Sequence, residues 1–293
     1  MPIVVGVSAD DAGSDALALG AVMSRLMGEG VVLAHVQPPT IEYPSIGKVD
    51  AEWADYLRQQ AQATLTQARE TLASRDDVTV VDSVTVANSA VSRGLNEVAR
   101  EVDAVSIVVG PGLIRREARV SLGSTAHSLV HGADCAIAVA PDGYRLRALE
   151  HIGRLVVGFR DRDPGVRDLR WSLGVANAAG IAVEMVSVII RVTHIDAPRL
   201  GGDPERAVLQ VLKEQQQHAQ DRAREELAVP VPGVVVEGDS AEQALEQFEW
   251  REDDLFVLGS SRYGAISRVV LGDLGKKLVR ASAVPVLILP RND

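Results

Sequence analysis

Ile3–Val36 reads IVVGVSADDAGSDALALGAVMSRLMGEGVVLAHV, and Leu155–Val188 reads LVVGFRDRDPGVRDLRWSLGVANAAGIAVEMVSV. Gly6 matches Gly158, Gly28 matches Gly180 and Val36 matches Val188, all at one constant separation. The ends of the two halves match as well, Gly110 with Gly259, Gly123 with Gly272 and Pro141 with Pro290, at a separation three residues shorter. A unit duplicated in tandem, with a short loop deletion inside the second copy, accounts for both sets of pairs. The expected domains are residues 1–141 and 154–293, joined by a polar linker at 142–153, DGYRLRALEHIG.

Within the first copy, short aliphatic runs alternate with helical patterns. Ile3–Val7, Val31–Val36, Val78–Val86, Ala104–Val109 and Cys135–Ala140 read as strands, mostly apolar on both faces, as a parallel sheet covered on both sides requires. Between the second and third, Trp53, Leu57, Ala61, Leu65, Ala68 and Leu72 recur at helical spacing. Val208, Leu212, Ala219, Ala223 and Leu227 repeat that stripe in the second copy. A third helix is expected to open at Asn88-Ser89, and its counterpart at Asp239-Ser240, where Ser240 and Gln243 have capping-box spacing. Alternating strands and helices predict an open α/β sheet, whose ligands bind beyond the carboxyl ends of the strands.

The 293 residues are 46% hydrophobic and 24% charged, which excludes wholesale disorder, while aromatics at 3% leave the core to Val, Leu, Ile and Ala. A formal charge of -10 opposes nucleic-acid and membrane-surface binding, though not one small anionic ligand. The single cysteine, Cys135, excludes an internal disulfide and a cysteine-rich zinc site. The opening residues carry no basic leader, and no apolar run approaches the roughly 20 residues of a membrane helix. These readings predict a soluble, cytoplasmic protein.

The repeats resemble the universal stress protein family in its tandem two-domain form. Each opens on a strand ending VGV or VGF, has a second strand ending HV or SV, and closes with a glycine-spaced loop, a helix and an aliphatic strand. The final VPVLILP at Val284–Pro290 and GDSAEQAL at Gly238–Leu245 are also similar to that family. The resemblance implies two Rossmann-like (adenine nucleotide alpha hydrolase-like) domains, each with a five-stranded parallel sheet. It also implies association through the last strands, within this chain, and the option of a homodimer.

ATP-binding members carry G-x-x-G, nine residues, then G-[ST], after the fourth strand. Glycine lets a backbone approach phosphate closely, and the closing hydroxyl and amides grip the anion. The first copy reads Gly110-Pro111-Gly112-Leu113, nine residues, then Gly123-Ser124-Thr125, so the spacing survives while Leu113 replaces the second glycine. Family members place an Asp just after the first strand to contact adenosine; the aligned residues here are Ser8 and Arg160. The resemblance therefore implies an altered adenine-nucleotide site, ATP or a related nucleotide with Mg2+ accompanying it. Gly110 to Leu113 and Gly123 to Thr125 would lie at the phosphates, with Ser8 and Val36 bordering base or ribose. The second copy reads Gly259-Ser-Ser-Arg262 and then Gly272-Asp273, which sets a carboxylate where phosphate would lie and predicts no site there.

Arg119 aligns with Arg268 in the half whose loop is altered most, so the arginines do not track the site. His127 and His131 stand at metal-ligand spacing, but their counterparts are Lys276 and Arg280, and an exposed basic helix face is the simpler reading. Neither a catalytic base nor a complete metal site is visible, so hydrolysis of ATP would at most be slow. The resemblance thus implies a stress-linked regulator binding an adenine nucleotide. Its alternative is a nucleotide-free module whose surface binds an unidentified protein partner.

Overall fold

The computed structural model describes residues 1–39, 49–75, 77–112, 119–160, 163–191, 204–260 and 272–290. The first half runs β1 (Ile3–Gly6), α1 (Asp11–Met27), β2 (Val31–Gln37), α2 (Val49–Ala73), β3 (Val80–Ala87), α3 (Val91–Glu101), β4 (Ser106–Val109), α4 (Ser124–Leu129) and β5 (Ala136–Val139). A 3-10 turn at Tyr144–Arg147 leads on to the second half. That half runs β6 (Arg154–Gly158), α5 (Asp163–Ala179), β7 (Ala182–Ile190), α6 (Pro204–Leu227), β8 (Gly233–Gly238), α7 (Ala241–Leu245), β9 (Asp254–Gly259), α8 (Asp273–Ala281) and β10 (Val286–Leu289).

All ten strands form one sheet in the order β3-β2-β1-β4-β5-β10-β9-β6-β7-β8. Each half contributes five parallel strands. The halves meet where β5 and β10 pair antiparallel, with Val139, Ala138 and Ile137 opposite Val286, Leu287 and Ile288. These last strands are aliphatic and fully buried, so joining them removes two sheet edges from water and covers apolar surface at once. The predicted pairing within one chain is therefore present.

Alternate residues of each strand feed two cores. Ile3 and Val5 face α1 and α2, together with α5 and α6 of the other half, while Val4 faces the layer of α3, α4, α7 and α8. Gly28 and Gly180, matched in the repeat, both end a long helix at φ of 67° and 69°, in the left-handed region where glycine carries no Cβ penalty.

Three local expectations change. The third helix begins at Val91, because the Asn88 side chain accepts from the Ala90 N–H and holds a turn before it. Trp53 is 55% exposed, and Val208 and Leu212 are exposed too, whereas Ala61, Leu72, Ala219 and Ala223 are buried. The stripe thus packs only where α2 and α6 pass over the sheet. Finally, the capping box forms with a shift: Ser240 Oγ accepts from the Gln243 N–H at 3.2 Å, while Gln243 Oε1 accepts from the Asp239 N–H at 2.7 Å.

One buried charge cluster has no counterpart in the first half. Arg154 donates from Nε and Nη2 to the two carboxylate oxygens of Asp254, at 2.7 and 2.6 Å, and also pairs with Glu184. It joins β6, β7 and β9 where the first half has Pro2, Val32 and Val105.

Candidate functional site

A cavity of about 610 Å³ opens beyond the carboxyl ends of β1, β2 and β4. Its wall contains Ser8 and Val36, then Gly110, Pro111 and Gly112, and on the far side Gly123, Ser124 and Thr125. Leu113 lies outside the described residues. The loops converge because parallel strands all present their carboxyl ends on one side of the sheet, and β1 lies between β2 and β4.

Each glycine of the loop has a steric reason in the protein itself. A Cβ on Gly110 would stand 1.9 Å from the Ala12 carbonyl oxygen, and one on Gly112 would stand 2.4 Å from the Gly123 Cα. Gly112 and Gly123 thus press backbone to backbone. Their N–H groups both donate to the Ser121 carbonyl, at 2.8 and 3.1 Å, and Pro111 has none to offer. The cradle's remaining donors lie further along, at Ser124 and Thr125 in the first turn of α4, where backbone amides have no partner within the helix.

On the opposite wall, Ser8 donates from Oγ to Asp10, and Asp10 caps α1 by accepting from the Gly13 N–H at 2.9 Å. Gly13 packs so closely that a Cβ would meet the Ser8 carbonyl oxygen at 2.1 Å. Asp10 therefore supplies a carboxylate to this wall two residues after the position where the family pattern places its Asp. His35 also lines the cavity, with Nδ1 3.1 Å from the Val7 carbonyl oxygen. Since a carbonyl only accepts, Nδ1 is the donor of that contact. Sequence reasoning missed His35 as a wall residue, along with Val91 and Leu95 of α3. The only signal for His35 was its place beside Val36 at the end of β2.

The second half is built differently at the matching place. Gly259 packs on Asp168, whose Oδ2 would lie 1.7 Å from an added Cβ. Asp168 is 4% exposed, and burial pushes its carboxyl up to about 6 although Arg167 works against the shift. Arg160, opposite Ser8 in the repeat, is exposed, and Asp273 stands in the first turn of α8. The arginines at 115, 116, 262 and 268 lie outside the described residues.

The His127 and His131 rings are 4.7 Å apart, and burial, with the Lys276 charge beside it, lowers the pKa of His131. Among the described residues no group of three or more His, Cys, Asp or Glu is placed to hold a metal ion. Nor is any described helix long and apolar enough to cross a membrane. Cys135 is mostly buried against β4 and β5, and that burial pushes its thiol up to about 11, away from thiolate chemistry.

The universal stress protein family model matches residues 1–141 and again 151–290, so the chain belongs to that family. A universal stress protein of Mycobacterium tuberculosis (strain ATCC 25618 / H37Rv) is 31% identical over 292 residues, covering 99% of this chain and 100% of the relative. The crystal structure of a universal stress protein from Archaeoglobus fulgidus DSM 4304 superposes with a TM-score of 0.64 at 14% identity, covering 99% of this chain and 98% of that one. A universal stress protein solved in complex with cAMP matches about one half of the chain, with a TM-score of 0.38, 19% identity and coverage of 49% and 98%.

Proposed function

We propose that this universal stress protein is a stress-linked regulator that binds an adenine nucleotide in its first domain, residues 1–141, and none in its second, residues 154–293. The observation that carries the reading is convergence. Every described residue of the predicted set lines one cavity, at the carboxyl ends of parallel strands, with Ser8, Ser124 and Thr125 all on its wall. With Gly112 and Gly123 committed to Ser121, phosphate is held by fewer donors than the loop pattern suggests, which favours a small phosphate group over a long chain. Mg2+ would come with the phosphates, since the described wall offers Asp10 alone as a carboxylate. Turnover is not part of the proposal.

A second reading has its own observation. The three loop glycines are all explained by backbone packing within the protein, so the pattern needs no ligand to account for it. On that reading the chain is an interaction module and the cavity is inherited.

The melting temperature of nucleotide-stripped protein, with and without millimolar Mg-ATP, AMP or cAMP, separates the two. Ligand at 100 times its dissociation constant adds about 2.7 kcal/mol to the native state, several degrees for domains of this size. A shift with at least one nucleotide supports the first reading. No shift with any of them leaves the second.

A further inference from the structure

The stretch Arg119-Val120-Ser121 leads into the cavity from the seam between the two halves, and the second half holds it there. Val120, wholly buried, bridges to Pro141 and donates its N–H to the Ser282 carbonyl at 2.9 Å. The Arg119 carbonyl accepts from the Asp142 N–H at 3.1 Å. Its guanidinium crosses the seam, with Nη1 donating to the Ala281 carbonyl at 3.2 Å and Nη2 to Glu246 at 3.0 Å. Ser282 is itself fixed, its hydroxyl donating to the Val284 carbonyl at 2.8 Å and accepting from the Val284 N–H at 3.3 Å.

One residue further on, Ser121 lines the cavity, and its carbonyl collects the N–H groups of Gly112 and Gly123. Gly112 and Gly123 press together, and Ser124 and Thr125 follow at once in the first turn of α4. A shift of Ser121 is therefore passed to the neighbouring backbone of that wall, because close-packed groups leave no slack to absorb it. Arg119 is not among the described wall residues, and its guanidinium directs its donors to the second half.

We propose that the second domain is the fixed support of the nucleotide site in the first, with Arg119 as the positioning residue through which it acts. The inference rests on the adenine-nucleotide reading of the cavity and adds what sets its affinity. Donors already held in place bind a ligand more tightly than donors that must be ordered as it arrives. A second half whose own loop ends in Gly272-Asp273 thus serves the site of the first. By thermodynamic reciprocity, a nucleotide in the first domain tightens the contact at Ala281 and Ser282.

Titration calorimetry of the full chain with Mg-ATP, AMP and cAMP reads the affinity. Amide hydrogen exchange across residues 110–125, without ligand, reads the order of the loop. Arg119→Ala should weaken binding about tenfold and speed exchange at Gly112 and Gly123, and an unchanged stoichiometry shows that the variant is folded. Glu246→Ala, at an exposed residue of the second half, should weaken binding about threefold. That sign separates positioning from charge alone, since loss of a carboxylate by itself favours an anionic ligand. The double variant should bind as Arg119→Ala does, because Glu246 acts through the arginine. Arg119→Lys, which keeps a charge for Glu246, should recover part of the loss. Parent affinity in Arg119→Ala overturns the proposal, as does unchanged exchange at the two glycines, or a Glu246→Ala chain that binds as tightly as the parent or more so. A parent that takes none of the three nucleotides fails the reading of the cavity instead, and exchange at Gly112 and Gly123 still decides whether the second domain positions the loop.

Discussion

Ser124→Asp tests the first-domain cavity without breaking the fold. Ser124 is exposed, opens α4 and lines the cavity. The second half already has Asp273 at the equivalent first turn of α8, and an acid there interacts favourably with the helix dipole by roughly 0.3–1 kcal/mol. Without ligand the variant should therefore melt at or slightly above the parent. With a phosphate about 5 Å away and an effective dielectric of about 20, the new carboxylate repels each unit of charge by about 3 kcal/mol, and the lost hydroxyl bond adds about 1 kcal/mol. Solvent at an exposed position screens roughly half, leaving about 2 kcal/mol, or about thirtyfold in affinity. At a nucleotide concentration that stabilises the parent by about 2.7 kcal/mol, the variant should gain only about 0.9 kcal/mol. Paired melts, with titration calorimetry for the dissociation constants, read this directly. A variant that keeps the parent's full nucleotide-induced shift refutes the placement of phosphate at Ser124.

Gly123→Ala should destabilise by about 1–3 kcal/mol in denaturant melts with no ligand present, because its Cβ would stand 2.7 Å from the Gly112 Cα; an unchanged midpoint refutes the packing account of the loop. Asp168 titrates near 6 folded against 3.8 unfolded, so ionising it costs stability as pH rises through that window. Asp168→Asn should accordingly be more stable than the parent at pH 7, by up to about 3 kcal/mol, with the advantage gone below about pH 4; a variant less stable at pH 7 contradicts the burial argument. Arg154→Leu strands the buried Asp254 and should cost about 3–5 kcal/mol, whereas Arg154→Leu with Asp254→Val and Glu184→Val, which resembles the apolar first half, should recover most of it. Urea melts of the two variants decide that, and equal losses would mean the ion cluster is not the cause.

Local and repeated features were legible in the chain. The five aliphatic runs of the first copy, the Gly28 and Gly180 caps and the Ser240–Gln243 box each depend on residues within a few positions, and the matched glycine caps show one such pattern twice. The meeting of Ser8, Val36, Gly110 and Ser124 around one cavity also followed, since parallel strands bring their carboxyl-end loops together. Sequence could not show what lay between residues far apart. The periodicity of α2 and α6 marked a stripe but not where the sheet beneath it stops, so Trp53 and Val208 were placed inside and stand outside. The loop glycines looked like a phosphate pattern, but only the folded backbone shows Gly112 against Gly123 and Gly110 against Ala12. Arg154 meets Asp254 across 100 residues, and Asp15 holds a linker 128 residues away. The duplicated sequence determined two similar halves. Tertiary structure decided that Tyr144 of the linker fills one side of their seam, because a pseudo-twofold built from two copies offers two mates and a single linker can occupy only one of them.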